Sequence, residues 1–245
     1  MSAAIVIDER EDRVVATLNR PEVRNAIDRQ TAQELHELCV LLEDDPKILL
    51  LTGAGGSFAA GADINQMRER RRDDALRGIN SSAFSRLQRL PMPTIALLDG
   101  FALGGGAELS YACDFRLGTT RVKIGNPEPG LGILASAGGT WRLRELVSET
   151  VAKEILLAGR ILDANEANAA GLLSEVVPPE ELLEAGHRWA DRIADQVPLA
   201  IRLAKAVFHT PREAHPFVDD LAQAVLFETE EKHERMTAFL ERKKK

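Results

Sequence analysis

The stretch "ALGGGAELSYACD", residues 102–114, sets three consecutive glycines before a carboxylate, Glu108, in a run that is otherwise almost uncharged. A charged group in an apolar setting is costly unless it is paired, hydrogen-bonded or neutralised by a shifted pKa. The preceding segment, "PTIALLDG" at residues 93–100, is typical of a buried β-strand, and the glycines open a helical segment. This order of strand, glycine loop and helix favours an α/β fold. Glu108 therefore either points to solvent or serves a chemical purpose.

The segments on both sides of this stretch complete the α/β pattern. They predict a hairpin over residues 3–19, an amphipathic helix over residues 28–45 and a buried strand over residues 47–53. After about residue 180 only helical patterns occur. We therefore expect an α/β core at residues 1–180 and a C-terminal helical region at residues 181–245.

The composition favours a soluble globular protein, because 44% hydrophobic and 28% charged residues are ordinary for a chain that buries a full core. The net charge of −7 argues against general nucleic-acid binding, which needs a basic surface. Cys39 and Cys113 lie in apolar sequence, which predicts buried, reduced thiols. The chain starts without a signal-peptide pattern and has no membrane-length apolar run. We therefore predict a cytoplasmic protein without membrane contact.

Several common chemistries find no support in the motifs. Gly104 and Gly106 fit the first two glycines of a dinucleotide-binding fingerprint, but Leu109 stands at the third. Ser57 and Ser136 lack the flanking glycines of a nucleophile elbow. The sequence has no phosphate-binding loop, and its histidines and cysteines do not have metal-ligand spacing. These observations exclude nucleotide, metal and serine-hydrolase sites from the prediction.

Two glycine-rich loops, "FAAGAD" at residues 58–63 and "ALGGGAE" at residues 102–108, each follow a strand-like segment. Glycine lets a backbone approach a ligand closely, and free N–H groups at a helix start favour an anion. One N–H from each loop would form an oxyanion hole beside Glu108 and a second carboxylate, Glu128, which has proline on both sides. Two such glutamates could share general acid and general base roles. The alternative is that both loops are tight turns that need glycine only for packing.

Five sequence motifs occur in the order and spacing of the crotonase family, also called the enoyl-CoA hydratase/isomerase family, which this chain resembles. The segments at residues 18–28 and 229–244 also resemble that family, so the match covers nearly the whole chain. Glu108 and Glu128 are separated by the family's interval. The five motifs are "FAAGADI" (58–64), "ALGGGAEL" (102–109), "CDFRL" (113–117), "NPEPGLG" (126–132) and "AGGTWRL" (137–143).

The resemblance implies a crotonase-like α/β fold, in which repeated β-β-α units at residues 1–180 form a spiral. It implies that the helices at residues 181–245 mediate a homotrimer, often paired into a hexamer, and cover the active site. The ligand would be an acyl-CoA thioester, and the reaction would need no metal or redox cofactor. Nucleic acid is not an expected partner.

The resemblance also assigns roles to individual residues. The backbone N–H groups of Ala62 and Gly105 match the donors to the thioester oxygen. Glu108 and Glu128 match the paired glutamates that position water and move a proton at the α-carbon. Arg24 resembles a basic residue near the CoA phosphates. The full predicted substrate-binding set is Arg24, Ala60, Gly61, Ala62, Asp63, Ile64, Asn65, Gly104, Gly105 and Ser136.

These matches predict an enoyl-CoA hydratase, which adds water in syn fashion across the 2,3-double bond of a 2-enoyl-CoA. The product is a 3-hydroxyacyl-CoA, in fatty acid β-oxidation or related acyl-CoA metabolism. Δ3–Δ2 enoyl-CoA isomerisation stays open, because it needs one base and Glu128 alone could serve. A non-catalytic CoA- or RNA-binding member is the third alternative, against which the acidic charge and the two glutamates argue.

The chain departs from the family pattern at three places near the acyl side of the site, one of which is Pro129 and Gly130, immediately after Glu128. Family hydratases often carry Pro-Gly where this chain has Ala135 and Ser136. We expect the Ser136 backbone N–H to keep the glycine's support of Glu128. Trp141 stands where glutamine is frequent. These departures leave the length of the acyl chain open.

Overall fold

The computed structural model describes residues 3–242. The chain divides into two compact units on either side of the Ala190–Asp191 bond, which lies within the ninth α-helix. The α-helices and β-strands are, in chain order, β1 (Ile5–Glu9), β2 (Arg13–Leu18), α1 (Arg29–Asp44), β3 (Ile48–Gly53), α2 (Ile64–Glu69), α3 (Arg72–Leu76), α4 (Ile79–Gln88), β4 (Thr94–Leu98), β5 (Phe101–Leu103), α5 (Gly105–Tyr111), β6 (Phe115–Thr119), β7 (Lys123–Gly125), α6 (Gly139–Leu146), α7 (Glu149–Ala158), β8 (Ile161–Asp163), α8 (Ala164–Ala169), β9 (Glu175–Val177), α9 (Leu182–Ala194), α10 (Pro198–Phe208), α11 (Phe217–Phe227) and α12 (Glu230–Arg242).

A six-stranded sheet in the order β1-β2-β3-β4-β6-β9 forms the centre of the first unit. Only β1 and β2 pair antiparallel, which confirms the predicted N-terminal hairpin, and the other neighbours are parallel. Leu50 of β3 faces Val15 on one side and Ile95 on the other. All five residues of β4 are buried, as expected for a parallel strand covered on both faces.

The parallel pairing of β3 and β4 brings the two glycine-rich loops together. Because both strands run in the same direction, the segments that follow them leave the sheet at the same edge. The loop after β3 reaches the strand after β4 through an isolated bridge between Ala59 and Ala102. The strand pairing therefore explains why residues 58–63 and 102–108 meet.

A second, three-stranded sheet in the order β5-β7-β8 lies in the same unit. The sequence pattern does not predict β5 or β8. Both have only three residues, too few for an alternating pattern to show. Cys39 and Cys113 are buried and form no disulfide, as expected from their apolar surroundings.

The described part of the second unit consists of helices, as the sequence predicts for the C-terminal region. No side chain of α10 or α11, or of α12 as far as Arg242, is buried in the isolated chain. Large apolar side chains are instead exposed, including Phe208, Phe217, Val225 and Phe239. None of the described helices is long and apolar enough to cross a membrane.

Candidate active site

Two backbone N–H groups, those of Ala62 and Gly105, lie close together where the glycine-rich loops meet. A Cβ on Gly105 would lie 3.5 Å from the nitrogen of Ala62. Ile27 donates to the carbonyl of Gly61 at 2.8 Å and accepts from the N–H of Asp63 at 3.0 Å. Ala62 lies between these two bonds, so its own N–H points away from Ile27. Within residues 3–242 neither N–H donates a hydrogen bond, and the pair can serve an oxyanion.

Two of the three consecutive glycines are required by the close approach of the loops. Gly104 has a φ of +52°, which a side chain would strain, and a Cβ there would lie 3.1 Å from Oε1 of Glu128. A Cβ on Gly106 would lie 2.1 Å from the carbonyl oxygen of Ala59, closer than any real contact. The glycine run therefore has a packing role that brings the loops into contact, and this contact also forms the pair of free N–H groups.

Glu108 lies in the first turn of α5 and is 3% exposed. Its Oε1 accepts hydrogen bonds from the backbone N–H of Ala137 at 2.7 Å and of Gly139 at 2.9 Å. The pKa of Glu108 is raised to about 7, because burial and the negative charge of Glu128 raise it by more than the two N–H groups and Arg142 lower it. The carboxylate in the apolar stretch is thus buried, hydrogen-bonded and able to exchange a proton near neutral pH.

The expectation that the Ser136 N–H supports Glu128 is wrong, because the N–H groups of this turn bind the other glutamate. Gly139 is the first residue of α6, and the N–H groups at a helix start bind carboxylates. α6 packs beside α5, so this helix start faces Glu108. The exposed Ser136 lines the cavity described below.

Glu128 begins a 3₁₀ turn, Glu128–Leu131, and is 7% exposed. Its Oε1 accepts from Nδ2 of Asn126 at 3.4 Å, while Oε2 is buried and has no partner among the described residues. The hydroxyl of Tyr111 donates to Oδ1 of Asn126 at 3.1 Å and so directs the amide nitrogen toward Glu128. Burial raises the pKa of Glu128, against its own backbone N–H and Asn126. Glu128 lines the cavity described below, and its Oε2 keeps its hydrogen-bonding capacity unused among the described residues.

The two free N–H groups and the two glutamates line one cavity of about 440 Å³. Residues 64–81 form one wall and residues 127–137 form another. Both walls contain apolar side chains, which suits a ligand with a hydrocarbon part. The predicted site residues that line it are Ala60, Gly61, Ala62, Ile64, Gly104, Gly105, Glu108, Glu128 and Ser136.

Three predicted ligand-binding residues do not line this cavity. Arg24 has a left-handed backbone, and its guanidinium carbon lies 5.2 Å from the centroid of the Phe101 ring. Asp63 caps the start of α2 by accepting from the N–H of Gln66 at 3.2 Å. Asn65 lines an adjoining, shallow depression that shares Arg70 and Asp74 with the cavity. Their roles toward a ligand stay predictions.

Arg142 supports the turn that holds Glu108, and the sequence did not reveal it. It is 2% exposed, and Nη1 donates to the carbonyl of Ala137 at 2.9 Å while Nε donates to Oε1 of Gln88 at 3.0 Å. Burial lowers its pKa to about 10, so it stays a cation at neutral pH. Nothing in "GGTWRLREL" distinguishes it from the surface arginine Arg144 two positions later.

Two further cavity residues, Asn80 and Arg70, were also missed. Nδ2 of Asn80 lies 3.8 Å from where a Cβ on Gly105 would be, and its Oδ1 is buried without a partner among residues 3–242. Arg70 belongs to the charged run "RERRRDD", which predicts a solvated segment.

Within the described chain, no group of three or more histidine, cysteine, aspartate or glutamate side chains is arranged to hold a metal ion.

Comparison with known sequences places this geometry in a family. A family model described as enoyl-CoA hydratase/isomerase matches residues 9–245. The crotonyl-CoA hydratase of Syntrophomonas wolfei is 38% identical over 98% of this chain and 96% of its own length. The short-chain-enoyl-CoA hydratase of Clostridium acetobutylicum is 37% identical over 98% of this chain and 95% of its own.

Comparison with solved structures agrees with the sequence matches. The crystal structure of enoyl-CoA hydratase from Bacillus anthracis superposes with a TM-score of 0.91 at 32% identity, covering 98% of this chain and 96% of that chain. A second enoyl-CoA hydratase, from Geobacillus kaustophilus, has a TM-score of 0.91 at 35% identity, covering 98% of this chain and 95% of that one. The predicted crotonase-like fold is thereby confirmed, and the chain belongs to the enoyl-CoA hydratase/isomerase family.

Proposed function

We propose that this protein is an enoyl-CoA hydratase, which adds water across the 2,3-double bond of a 2-enoyl-CoA to give a 3-hydroxyacyl-CoA. The observation that carries the proposal is the presence of two buried carboxylates and two free backbone N–H groups on the same cavity. Hydration of a conjugated thioester needs both an acid–base pair and a site for negative charge on the thioester oxygen.

The first part of the mechanism is stabilisation of charge. The thioester oxygen accepts hydrogen bonds from the N–H groups of Ala62 and Gly105, whose convergence supports this role. As the oxygen of water bonds to C3, the electron pair of the double bond moves toward the thioester oxygen, and an enolate forms. Each such donor typically contributes about 2.7–4 kcal/mol to transition-state stabilisation.

The second part is proton transfer. Two backbone N–H groups favour the ionised form of Glu108, which accepts a proton from the attacking water. Glu128, with fewer donors and a buried unpartnered oxygen, is the protonated partner and gives its proton to C2. Water thus supplies OH to C3, C2 receives a proton, and exchange of the proton from Glu108 to Glu128 completes the cycle.

Δ3–Δ2 enoyl-CoA isomerisation is the second candidate. It is supported by the free Oε2 of Glu128, which could remove a proton from C2 and return it to C4 without a second carboxylate. The two buried N–H donors stabilise an ionised Glu108 carboxylate. This favours hydration, because isomerisation does not need a second carboxylate.

The test is the reaction of purified protein with crotonyl-CoA, followed by the loss of the conjugated enoyl-thioester absorbance. We expect rapid loss and a product heavier by one water. The same protein is assayed with a 3-enoyl-CoA, whose conversion to the 2-enoyl isomer would raise that absorbance. Binding of butyryl-CoA without consumption of crotonyl-CoA, together with conversion of the 3-enoyl-CoA, would replace hydration by isomerisation.

We also propose that the chain assembles as a homotrimer or a pair of trimers. The support is the row of exposed apolar side chains on α10, α11 and α12, because monomers rarely expose so many large apolar groups. We expect light scattering to give three or six times the chain mass of 26.8 kDa. A mass equal to one chain at micromolar concentration would contradict the proposal.

A further inference from the structure

Arg70 directly follows α2 and lines both the cavity that contains the two glutamates and the depression beside Asn65. α2 starts two residues after Ala62, and a helix rises 1.5 Å per residue, so α2 carries the backbone about 9 Å from Ile64 to Arg70. Nε and Nη2 of Arg70 are buried, and neither has a hydrogen-bond partner in the described chain. A guanidinium with two such atoms is costly unless a ligand satisfies them.

The nearest acidic side chains are engaged elsewhere. Asp74 accepts from Nη2 of Arg29 at 3.0 Å and from the N–H of Arg71 at 3.1 Å. Asp63 caps α2. Neither carboxylate lies within 4 Å of the Arg70 guanidinium, which therefore has no salt-bridge partner among the described residues, although Asp74 lines the same cavity.

The cavity surface between Arg70 and the glutamates suits a short hydrocarbon chain. Met67 and Ile79 line one wall, and Leu131, Ile133 and Leu134 line the other. A thioester carbonyl on the Ala62 N–H would place the acyl methylenes among these side chains.

We propose that Arg70 binds a carboxylate at the far end of the acyl group, so that the preferred substrates are 2-enoyl-CoA esters of dicarboxylic acids. The inference rests on the proposed function for the assignment of the acyl end. Arginine is suited to this task because its planar fork matches a carboxylate in bidentate geometry. The phosphates of CoA are the other possible anion, but the whole pantetheine arm separates them from the thioester, whereas only the short helix α2 and two further residues separate Arg70 from Ala62.

The test uses two acyl-CoA pairs of equal chain length that differ only in a terminal methyl or carboxylate. Calorimetric binding compares adipyl-CoA with hexanoyl-CoA, which are saturated and do not react. Hydration compares 2,3-dehydroadipyl-CoA with 2-hexenoyl-CoA. We expect the wild type to favour the carboxylate member of each pair by about 10- to 100-fold. Arg70→Met should abolish this ratio and leave hexanoyl-CoA affinity unchanged, and Arg70→Lys should keep part of it.

The matched control is Arg68→Met, which removes one positive charge from α2 at an exposed residue that pairs with Glu69 outside the cavity. It should keep the wild-type ratio. Unchanged affinity for hexanoyl-CoA also shows that Arg70→Met is folded. If this variant does not fold, the preference of the wild type for adipyl-CoA over hexanoyl-CoA tests the proposal by itself.

Three outcomes would overturn the assignment. Equal binding of adipyl-CoA and hexanoyl-CoA by the wild type is the first. A ratio that Arg70→Met leaves unchanged is the second. Equal weakening of both esters by Arg70→Met, but not of hexanoyl-pantetheine, is the third and would assign Arg70 to the CoA phosphates. A binding preference without hydration would overturn the proposed reaction alone, and hydration without a preference would overturn the carboxylate assignment alone.

Discussion

Replacing Glu128 with glutamine is expected to lower kcat/KM for crotonyl-CoA hydration by about 100- to 10,000-fold, the usual contribution of a positioned acid or base. Glutamine has the same shape but cannot give a proton from Oε2, the buried atom without a partner. The two N–H groups at Ala62 and Gly105 remain, so butyryl-CoA should bind within a few-fold of the wild-type affinity. Steady-state rates and calorimetric binding measure the two quantities.

The control for this variant is Glu22→Gln, which removes the same charge at an exposed residue. It should leave the rate unchanged. Near-normal turnover by Glu128→Gln would remove Glu128 from the mechanism, and an equal loss of rate and butyryl-CoA binding would assign it to binding only.

The second large effect is expected for Glu108→Gln, which should lower hydration by at least about 100-fold. The glutamine oxygen can still accept from Ala137 and Gly139, so the turn keeps its conformation. The lost function is acceptance of a proton from water. Conversion of a 3-enoyl-CoA, which does not use water, should fall much less in this variant.

The pH profile provides a further measure of the same residue. The pKa of Glu108 is raised to about 7, so its ionised form is present above that pH and is lost as the pH falls. We expect kcat/KM of the wild type to fall on the acid side with a midpoint near 7. Because the two carboxylates interact, the midpoint belongs to the pair. Glu108→Gln should lack this acid limb, and a limb that persists unchanged would assign it to another group.

Much of the fold and part of the site could be predicted from sequence. The hairpin, the long first helix and the buried strands have strong patterns, and the structure confirms them. The glycine-rich loops were found by composition, because close backbone approach excludes side chains. At Gly106 the distance of 2.1 Å from a Cβ to the Ala59 oxygen shows the reason in physical terms.

The residues that support the site were harder to predict, because their environment depends on distant parts of the chain. The N–H groups that bind Glu108 lie 29 and 31 residues further along the chain, and no local pattern announces them. Arg70 belongs to a charged run that predicts a solvated surface, and Arg142 has no local feature that distinguishes it from the exposed Arg144. Tertiary packing buries polar atoms of both. A buried arginine in such a segment therefore cannot be recognised from the sequence until the residues that pack against it are known.

The proposed oxyanion donors, the N–H groups of Ala62 and Gly105, belong to the main chain, and this has a consequence for engineering. A substitution of either residue by anything except proline keeps the N–H itself. Directed evolution of the enzyme toward another acyl-CoA reaction would therefore retain the thioester-binding element by default. Productive mutations would concentrate in the cavity walls at residues 64–81 and 127–137. A library restricted to these two segments would change which acyl groups bind, while the thioester keeps its hydrogen bonds to the main chain.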